Sequence, residues 1–218
     1  MVYNPKDYFF KKAKKENYVA RSIFKLQEID ERFKIFKPGY KVLDLGAAPG
    51  SWSQYASQQV GRDGRVLGVD LQPIKLTIPN AYFFVGDIRN LTTPLLDALI
   101  EKTGIIPPFD VVISDMAPKT TGIRVTDQTR SVELCEKALA CAEQFLKPRG
   151  SFICKLFHSE DFDTFRELLR ARFGKVEVLR PKSTRKESKE IFFIALQYRP
   201  LQPPTSQTTT LKDPERAP

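Results

Sequence analysis

One stretch limits what this chain can become: Val42-Leu43-Asp44-Leu45-Gly46-Ala47-Ala48-Pro49-Gly50-Ser51-Trp52-Ser53-Gln54. An apolar run ends in a carboxylate, passes through a loop of small residues and enters a helix start. That is the first strand–loop–helix unit of a doubly wound α/β sheet, where ligands sit at the carboxyl ends of the strands. Gly46 and Gly50 remove side chains so that a ligand can lie against the backbone. Ser51 is the expected N-cap of the helix behind the loop.

The loop also limits the ligand. A dinucleotide site would read G-x-G-x-x-G, with the pyrophosphate on the helix start. Here the loop is G-A-A-P-G, and Pro49 lacks an N–H. Such a loop suits a ligand without a pyrophosphate and disfavours a dehydrogenase. A second carboxylate, Asp70, closes the next apolar run, 24 residues after Gly46. At that distance an acid meets ribose hydroxyls. A third, Asp87, follows Phe83-Phe84-Val85-Gly86. Ribose, adenine and an aminocarboxylate sulfonium fit this set, which points to S-adenosylmethionine.

The remaining apolar runs extend the same pattern. Strands are expected at 41–45, 65–70, 81–85, from Phe109 to the Asp115 break, at 151–157, 175–179 and 190–196. Helices are expected at 51–60, after Pro94 (Leu95, Leu96, Leu99, Ile100), at 127–146 and at 160–172. In helix 127–146 the inward residues read as Leu134, Ala138, Leu139, Ala142, Phe145 and Leu146. Pro148-Arg149-Gly150 reads as a turn, and 119–126 as a mobile loop over the site. No helix separates the last two strands, so they should pair antiparallel at one sheet edge. The expected fold is α/β and Rossmann-like: a seven-stranded, mostly parallel sheet with one antiparallel edge strand and helices on both faces.

The chain has 218 residues, which suits one domain. We expect a basic helical segment over 1–40, a cofactor-binding domain over 41–199 and a disordered tail over 200–218, where five prolines and a Thr triplet leave no apolar period. No apolar run is long enough to span a membrane. The Lys-rich N-terminus lacks the features of a secretory or transit peptide. Three cysteines without C-x-x-C spacing read as buried thiols of a reducing compartment, so a cytoplasmic location is expected; a monomer is expected as well. His158 is the only histidine, which makes a metal centre or a Ser-His-Asp triad improbable.

The net charge of +9 is localised. Residues 1–41 hold eleven Lys/Arg against five Asp/Glu, and residues 180–190 hold five against two. Together they account for the whole excess. Two basic segments at opposite ends of the chain suggest a polyanion, most simply nucleic acid. In residues 6–16 aromatic positions lie among lysines (Tyr8, Phe9, Phe10; Lys11, Lys12, Lys14, Lys15), a pattern suited to phosphates and stacking.

Lys155 lies inside the apolar run Ser151–Phe157. Burying a lysine costs several kcal/mol unless it is paired or neutralised, so it needs a partner or a function. Asp115 ends the neighbouring strand, Glu190 opens the last strand, and Lys25 lies among apolar positions of the helix leading into the first strand. These pieces are R-S-x-F-K-L around Lys25, D-L-G-A-A-P-G-x-W-S-Q at 44–54, S-D-M-A-P at 114–118, K-L-F at 155–157 and R-P-x-S-x-R-x-x-S-x-E from Arg180 to Glu190. In combination they resemble the FtsJ/RrmJ family of RNA 2′-O-ribose methyltransferases, over roughly residues 6–198.

The resemblance implies a class I methyltransferase fold and transfer of a methyl group from S-adenosylmethionine to a ribose 2′-hydroxyl of large-subunit ribosomal RNA, at a uridine. It implies Lys155 as base or hydroxyl-orienting group, with Asp115, Lys25 and Glu190 positioning it and no metal required. Gly46, Pro49, Gly50, Trp52, Asp70, Asp87 and Asp115 would bind the cofactor. Phe192 stands where the family often carries an aromatic hydroxyl. Transfer RNA or a capped RNA stays open as substrate, because the tetrad fixes the reaction and not the RNA. A non-catalytic RNA-binding module on the same fold stays open as well.

Overall fold

The computed structural model describes residues 5–88, 99 and 101–200. Seven strands form one sheet: β1 (Lys41–Leu45), β2 (Arg65–Asp70), β3 (Ala81–Val85), β4 (Phe109–Ser114), β5 (Leu146–Phe157), β6 (Phe173–Leu179) and β7 (Glu190–Tyr198). The helices with complete bounds are α1 (Pro5–Lys15), α2 (Ile23–Phe33), α3 (Ser51–Val60), α4 (Arg124–Phe145) and α5 (Phe162–Arg172). The helix expected after Pro94 falls mostly outside the described residues, apart from buried Leu99. The tail expected over 200–218 lies outside them beyond Pro200.

The strand order is β3-β2-β1-β4-β5-β7-β6. Strands β1 to β5 pair in parallel, while β7 runs antiparallel to both of its neighbours. β6 and β7 do form the expected antiparallel pair. The antiparallel strand is not at the edge, however: β7 lies one place in, and β6 takes the edge. The composition of β7 explains this. Phe192, Phe193, Ile194 and Ala195 are all fully buried, and so apolar a run needs a covered neighbour on each side.

Alternate strand residues serve two cores. Leu43, Leu67, Val112, Phe152 and Phe193 face α4 and α5. Val42, Val66, Val111, Ile153, Phe192 and Ile194 face α2 and α3. Three local expectations need correcting. The turn at Pro148–Gly150 is an irregularity within a longer β5: Leu146 pairs with Phe109 and Ser151 with Val111, so the intervening residues loop out. Leu146 therefore belongs to the strand. In α4, Cys135 is buried while Leu134 is only partly so, which shifts the inward stripe by one residue.

Candidate active site

The first loop folds on itself. Gly46 and Ala47 donate to the Val69 carbonyl at 2.8 and 3.2 Å, Gly50 donates to the Ala47 carbonyl at 2.6 Å, and Ala48 donates to Asp70 Oδ2 at 2.9 Å. Every N–H from Gly46 to Gly50 is thereby used internally, since Pro49 has none. No cradle for a pyrophosphate remains in this stretch. Gly50, at φ +107°, is the N-cap of α3, not Ser51. The turn into the helix needs the left-handed conformation that glycine tolerates. Ser51 lies inside the first turn, its hydroxyl 2.7 Å from that of Ser22. A Cβ on Gly46 would strike Met116, and one on Gly50 would strike Leu76 and Ile74. The segments after β2 and β4 thus wrap the loop closely.

Three of the expected acids meet at the carboxyl end of the sheet. Asp70 ends β2, and besides Ala48 it accepts the Gln72 N–H at 2.8 Å. Asp87 follows Gly86, whose N–H bonds the Asp70 carbonyl at 2.8 Å. Asp115 follows β4 directly. Asp44 behaves differently. It is fully buried beneath the loop, where Ser53 Oγ donates to its Oδ2 at 2.6 Å and its Oδ1 has no partner. Burial, with the Asp115 and Asp70 charges adding to it, pushes its carboxyl up to about 7 against the pull of the Ser53 bond. Trp52 is buried too: its indole N–H donates to the Ser22 carbonyl at 3.0 Å and its ring packs on Phe192 at 5.7 Å. It braces the loop from below.

The four ionisable residues read from the sequence form two ion pairs. Lys155 Nζ donates to Asp115 Oδ1 at 2.9 Å and to the Asp115 carbonyl at 2.6 Å, and the lysine is 7% exposed. Lys25 Nζ lies 2.5 Å from Glu190 Oε1. Register brings the pairs together. Lys155 pairs with Phe192, two residues after Glu190, so both pairs lie on the face that α2 covers. Phe192 sits between them, with Lys25 Nζ 5.8 Å from its ring centre. A residue with no hydroxyl is therefore the spacer of the tetrad.

The two basic segments also meet. Glu28 of α2 accepts the Lys182 N–H at 2.7 Å, and Arg21 donates to the Ser183 carbonyl at 2.8 Å. Arg180 holds the loop before β7 in shape by donating to the carbonyls of Arg185, Lys186 and Ser188. Sequence reasoning missed Arg21, Ser22 and Ser183. All three lie inside quoted motifs, but nothing local signals that the motif holding Ser183 would meet the one holding Arg21 and Ser22. Of residues 119–126, read as a mobile loop, 124–126 belong to α4, and Asp127 accepts the Thr121 N–H at 2.7 Å, the Thr121 hydroxyl at 2.9 Å and the Gly122 N–H at 3.2 Å. The Thr121 N–H leads in holding the Asp127 carboxyl below its ordinary value. Among the described residues no group of three or more His, Cys, Asp or Glu could hold a metal ion, and no helix is long and apolar enough to cross a membrane.

An open α/β sheet with carboxylates over its parallel strand ends and paired lysines beside them defines a Rossmann-like methyltransferase. The chain belongs to the FtsJ-like methyltransferase family, whose model matches residues 18–198. It is 59% identical to the ribosomal RNA large subunit methyltransferase E of Bdellovibrio bacteriovorus, over 90% of this chain and 98% of that protein. It is 53% identical to the protein of the same name from Nitratidesulfovibrio vulgaris strain Miyazaki F, over 89% of this chain and 95% of that one. Among solved structures, a Plasmodium falciparum protein assigned as a ribosomal RNA methyltransferase superposes with TM-score 0.72 at 25% identity, covering 83% of this chain and 98% of the other. Fibrillarin from Aeropyrum pernix, solved with S-adenosyl-L-methionine, shares the fold at TM-score 0.50 and 19% identity, over 73% of this chain and 67% of that one.

Proposed function

We propose that this protein methylates the 2′-hydroxyl of a uridine ribose in large-subunit ribosomal RNA, with S-adenosylmethionine as donor. The observation that carries the reaction type is the pair of hydrogen bonds from Lys155 Nζ to Asp115. Paired as an ammonium, Lys155 must first release its third proton to solvent; the amine then has two N–H groups and one lone pair. With both N–H groups on Asp115, the lone pair is left for a third partner. A ribose hydroxyl placed there gives its proton to Nζ as its oxygen attacks the methyl carbon. Asp115 fixes the direction of that lone pair, and orientation alone contributes several kcal/mol to such a step. Lys25 and Glu190 position the RNA beside it.

The residues present fit the cofactor. Asp70, Asp87 and Asp115 form an acceptor-rich set for hydroxyl and ammonium donors, Gly46, Pro49 and Gly50 shape the loop, and the loop has no N–H groups free for phosphates. When bound, S-adenosylmethionine supplies an electrophilic methyl on a sulfonium that leaves as a neutral thioether. Trp52 holds the loop in place through Ser22. The names of the relatives support the ribosomal substrate over transfer RNA or capped RNA. Cytoplasmic location and a monomeric state belong to the same proposal.

Radiolabelled S-adenosylmethionine, offered with large subunits from cells lacking the enzyme, total transfer RNA and capped transcripts, tests this reading. Label should enter the subunit at an alkali-resistant linkage, because a methylated 2′-oxygen cannot attack the phosphate. Label in transfer RNA alone would overturn the substrate assignment. An alkali-sensitive linkage would overturn the role of Lys155.

A further inference from the structure

A cavity of about 230 Å³ opens where the start of α4 meets the end of β5 and the loop before β7, lined by Arg124, Asp127, Gln128, Phe157, Ser188 and Lys189. None of these residues belongs to the two ion pairs, yet the cavity lies beside both. Phe157 follows Lys155 by two residues on β5, so the two side chains share a face about 7 Å apart. Lys189 adjoins Glu190, which is the register partner of Phe157. The space suits one planar ring system rather than a longer segment.

Its walls are fixed to one another. Gln128 Nε2 donates to the His158 carbonyl at 2.6 Å, and the His158 N–H donates to the Lys189 carbonyl at 3.0 Å. The Phe157 N–H donates to Ser131 Oγ of α4 at 3.0 Å. Phe157 is half-buried between them, and an aromatic ring of this kind is a surface on which an unstacked base lies. The polar groups around it are of mixed type. With its amide nitrogen engaged, Gln128 offers Oε1 as an acceptor. Ser188 Oγ accepts the Glu190 N–H at 3.3 Å and keeps its own hydrogen for donation. Arg124 adds donors only. The Asp127 carboxylate is occupied by Thr121 and Gly122 and does not compete.

We propose that this cavity receives the base of the nucleotide being methylated and selects uracil. The pocket rests on the RNA methyltransferase reading and deepens it. Along its pairing edge uracil presents an acceptor, a donor and an acceptor: O2, N3–H and O4. Gln128 Oε1 takes the N3–H, while Arg124 and Ser188 Oγ donate to the two carbonyl oxygens. Cytosine would set its bare N3 against Gln128 Oε1 and its amino group against a donor. A site built to hydrogen-bond one partner rejects the other because polar groups are left unpaired. A base lying on Phe157 brings its ribose to the neighbouring Lys155. The start of α4 thus reads the base, while Lys155 and Asp115 handle the hydroxyl.

Two measurements test the pocket. In the first, large subunits from cells lacking the enzyme and grown with 4-thiouridine are irradiated with the wild-type protein, and the crosslinked residue is located by mass spectrometry. The crosslink should fall on Phe157 or within residues 124–128. Crosslinks that avoid both segments would overturn the pocket. In the second, single-turnover methylation is compared between subunits carrying uridine and subunits carrying cytidine at the labelled position. The wild type should strongly prefer uridine. Arg124→Ala and Gln128→Ala should each lower the uridine-to-cytidine rate ratio by about 10-fold or more, with S-adenosylmethionine affinity by calorimetry unchanged. A merely structural role would slow both substrates equally, so an unchanged ratio in both variants would overturn base selection, as would equal wild-type rates. Crosslinking needs no methyl transfer. A wild-type protein that crosslinks through Phe157 but never methylates subunits would therefore sink the functional reading and leave the pocket standing.

Discussion

The two ends of the sheet treat their buried polar groups in opposite ways. At the amino end, Asp30 accepts the Ile35 and Phe36 N–H groups at 2.9 and 3.2 Å on one oxygen and the Tyr55 hydroxyl at 2.9 Å on the other. Asp110, near the start of β4, accepts the Lys41 N–H at 2.7 Å and pairs with Lys147. Both carboxylates are closed. At the carboxyl end, Asp44 Oδ1, Arg21 Nη1 and Ser183 Oγ are buried and open. The amino end uses polar groups to fasten α2 and β1, while the carboxyl end carries unsatisfied ones at a standing cost to stability. The difference marks where the fold expects ligands, and it separates residues whose loss unfolds the protein from residues whose loss silences it.

Lys155 should show the largest effect and the cleanest separation. Lys155→Ala should lower kcat by about 10²–10⁴-fold, the range typical of a positioned acid or base. Binding of S-adenosylmethionine should stay within a few-fold. Lys155→Arg should be equally inactive, because a guanidinium does not release its proton in proteins. Single-turnover methylation of undermethylated subunits reads both, and substantial turnover in either would break the assignment.

Asp30→Ala probes the opposite end. It removes three hydrogen bonds at once and leaves two buried N–H groups open, so it should destabilise by about 2–4 kcal/mol. Methyl transfer per folded molecule should stay near that of the wild type. A loss of turnover without a loss of melting temperature would contradict the division between the two ends.

Much of this division was legible in the sequence, for reasons of chemistry. Lys155 stood out because a lysine inside an apolar strand needs a partner, and Asp70, Asp87 and Asp115 because each breaks an apolar run at a strand end. The G-A-A-P-G loop excluded a pyrophosphate by its proline, and the fold completes the exclusion by consuming the other N–H groups. What stayed hidden depends on contacts distant in the chain. The insertion of β7 between β5 and β6 is decided by packing on both of its faces. The closure of Arg21 on Ser183 spans most of the chain. Asp44 lies one residue before the end of β1 whereas Asp70 closes β2, and only the packed loop and α3 show that Asp44 is sealed from water.

Asp44 gives the smallest expected effect, and one that depends on pH. Its carboxyl lies near 7 in the folded protein and near 3.9 when unfolded. Between those values the native state holds a proton that the unfolded chain has released. Stability linked to this group is therefore complete below about pH 4, falls as pH rises toward 7 and is flat above it. The slope is at most about 1.4 kcal/mol per pH unit, so about 2 kcal/mol disappears between pH 5.5 and 7. Asn at position 44 can keep the acceptor for Ser53 and cannot titrate. Urea unfolding of wild type and Asp44→Asn at pH 5.5, 6, 6.5, 7 and 8 isolates this group, because every other titration is common to both. The stability of the wild type relative to the variant should fall through pH 7 and then level off. Parallel curves would mean that Asp44 ionises normally beneath the loop, and the contrast between an open and a closed end of the sheet would then rest on Arg21 and Ser183 alone.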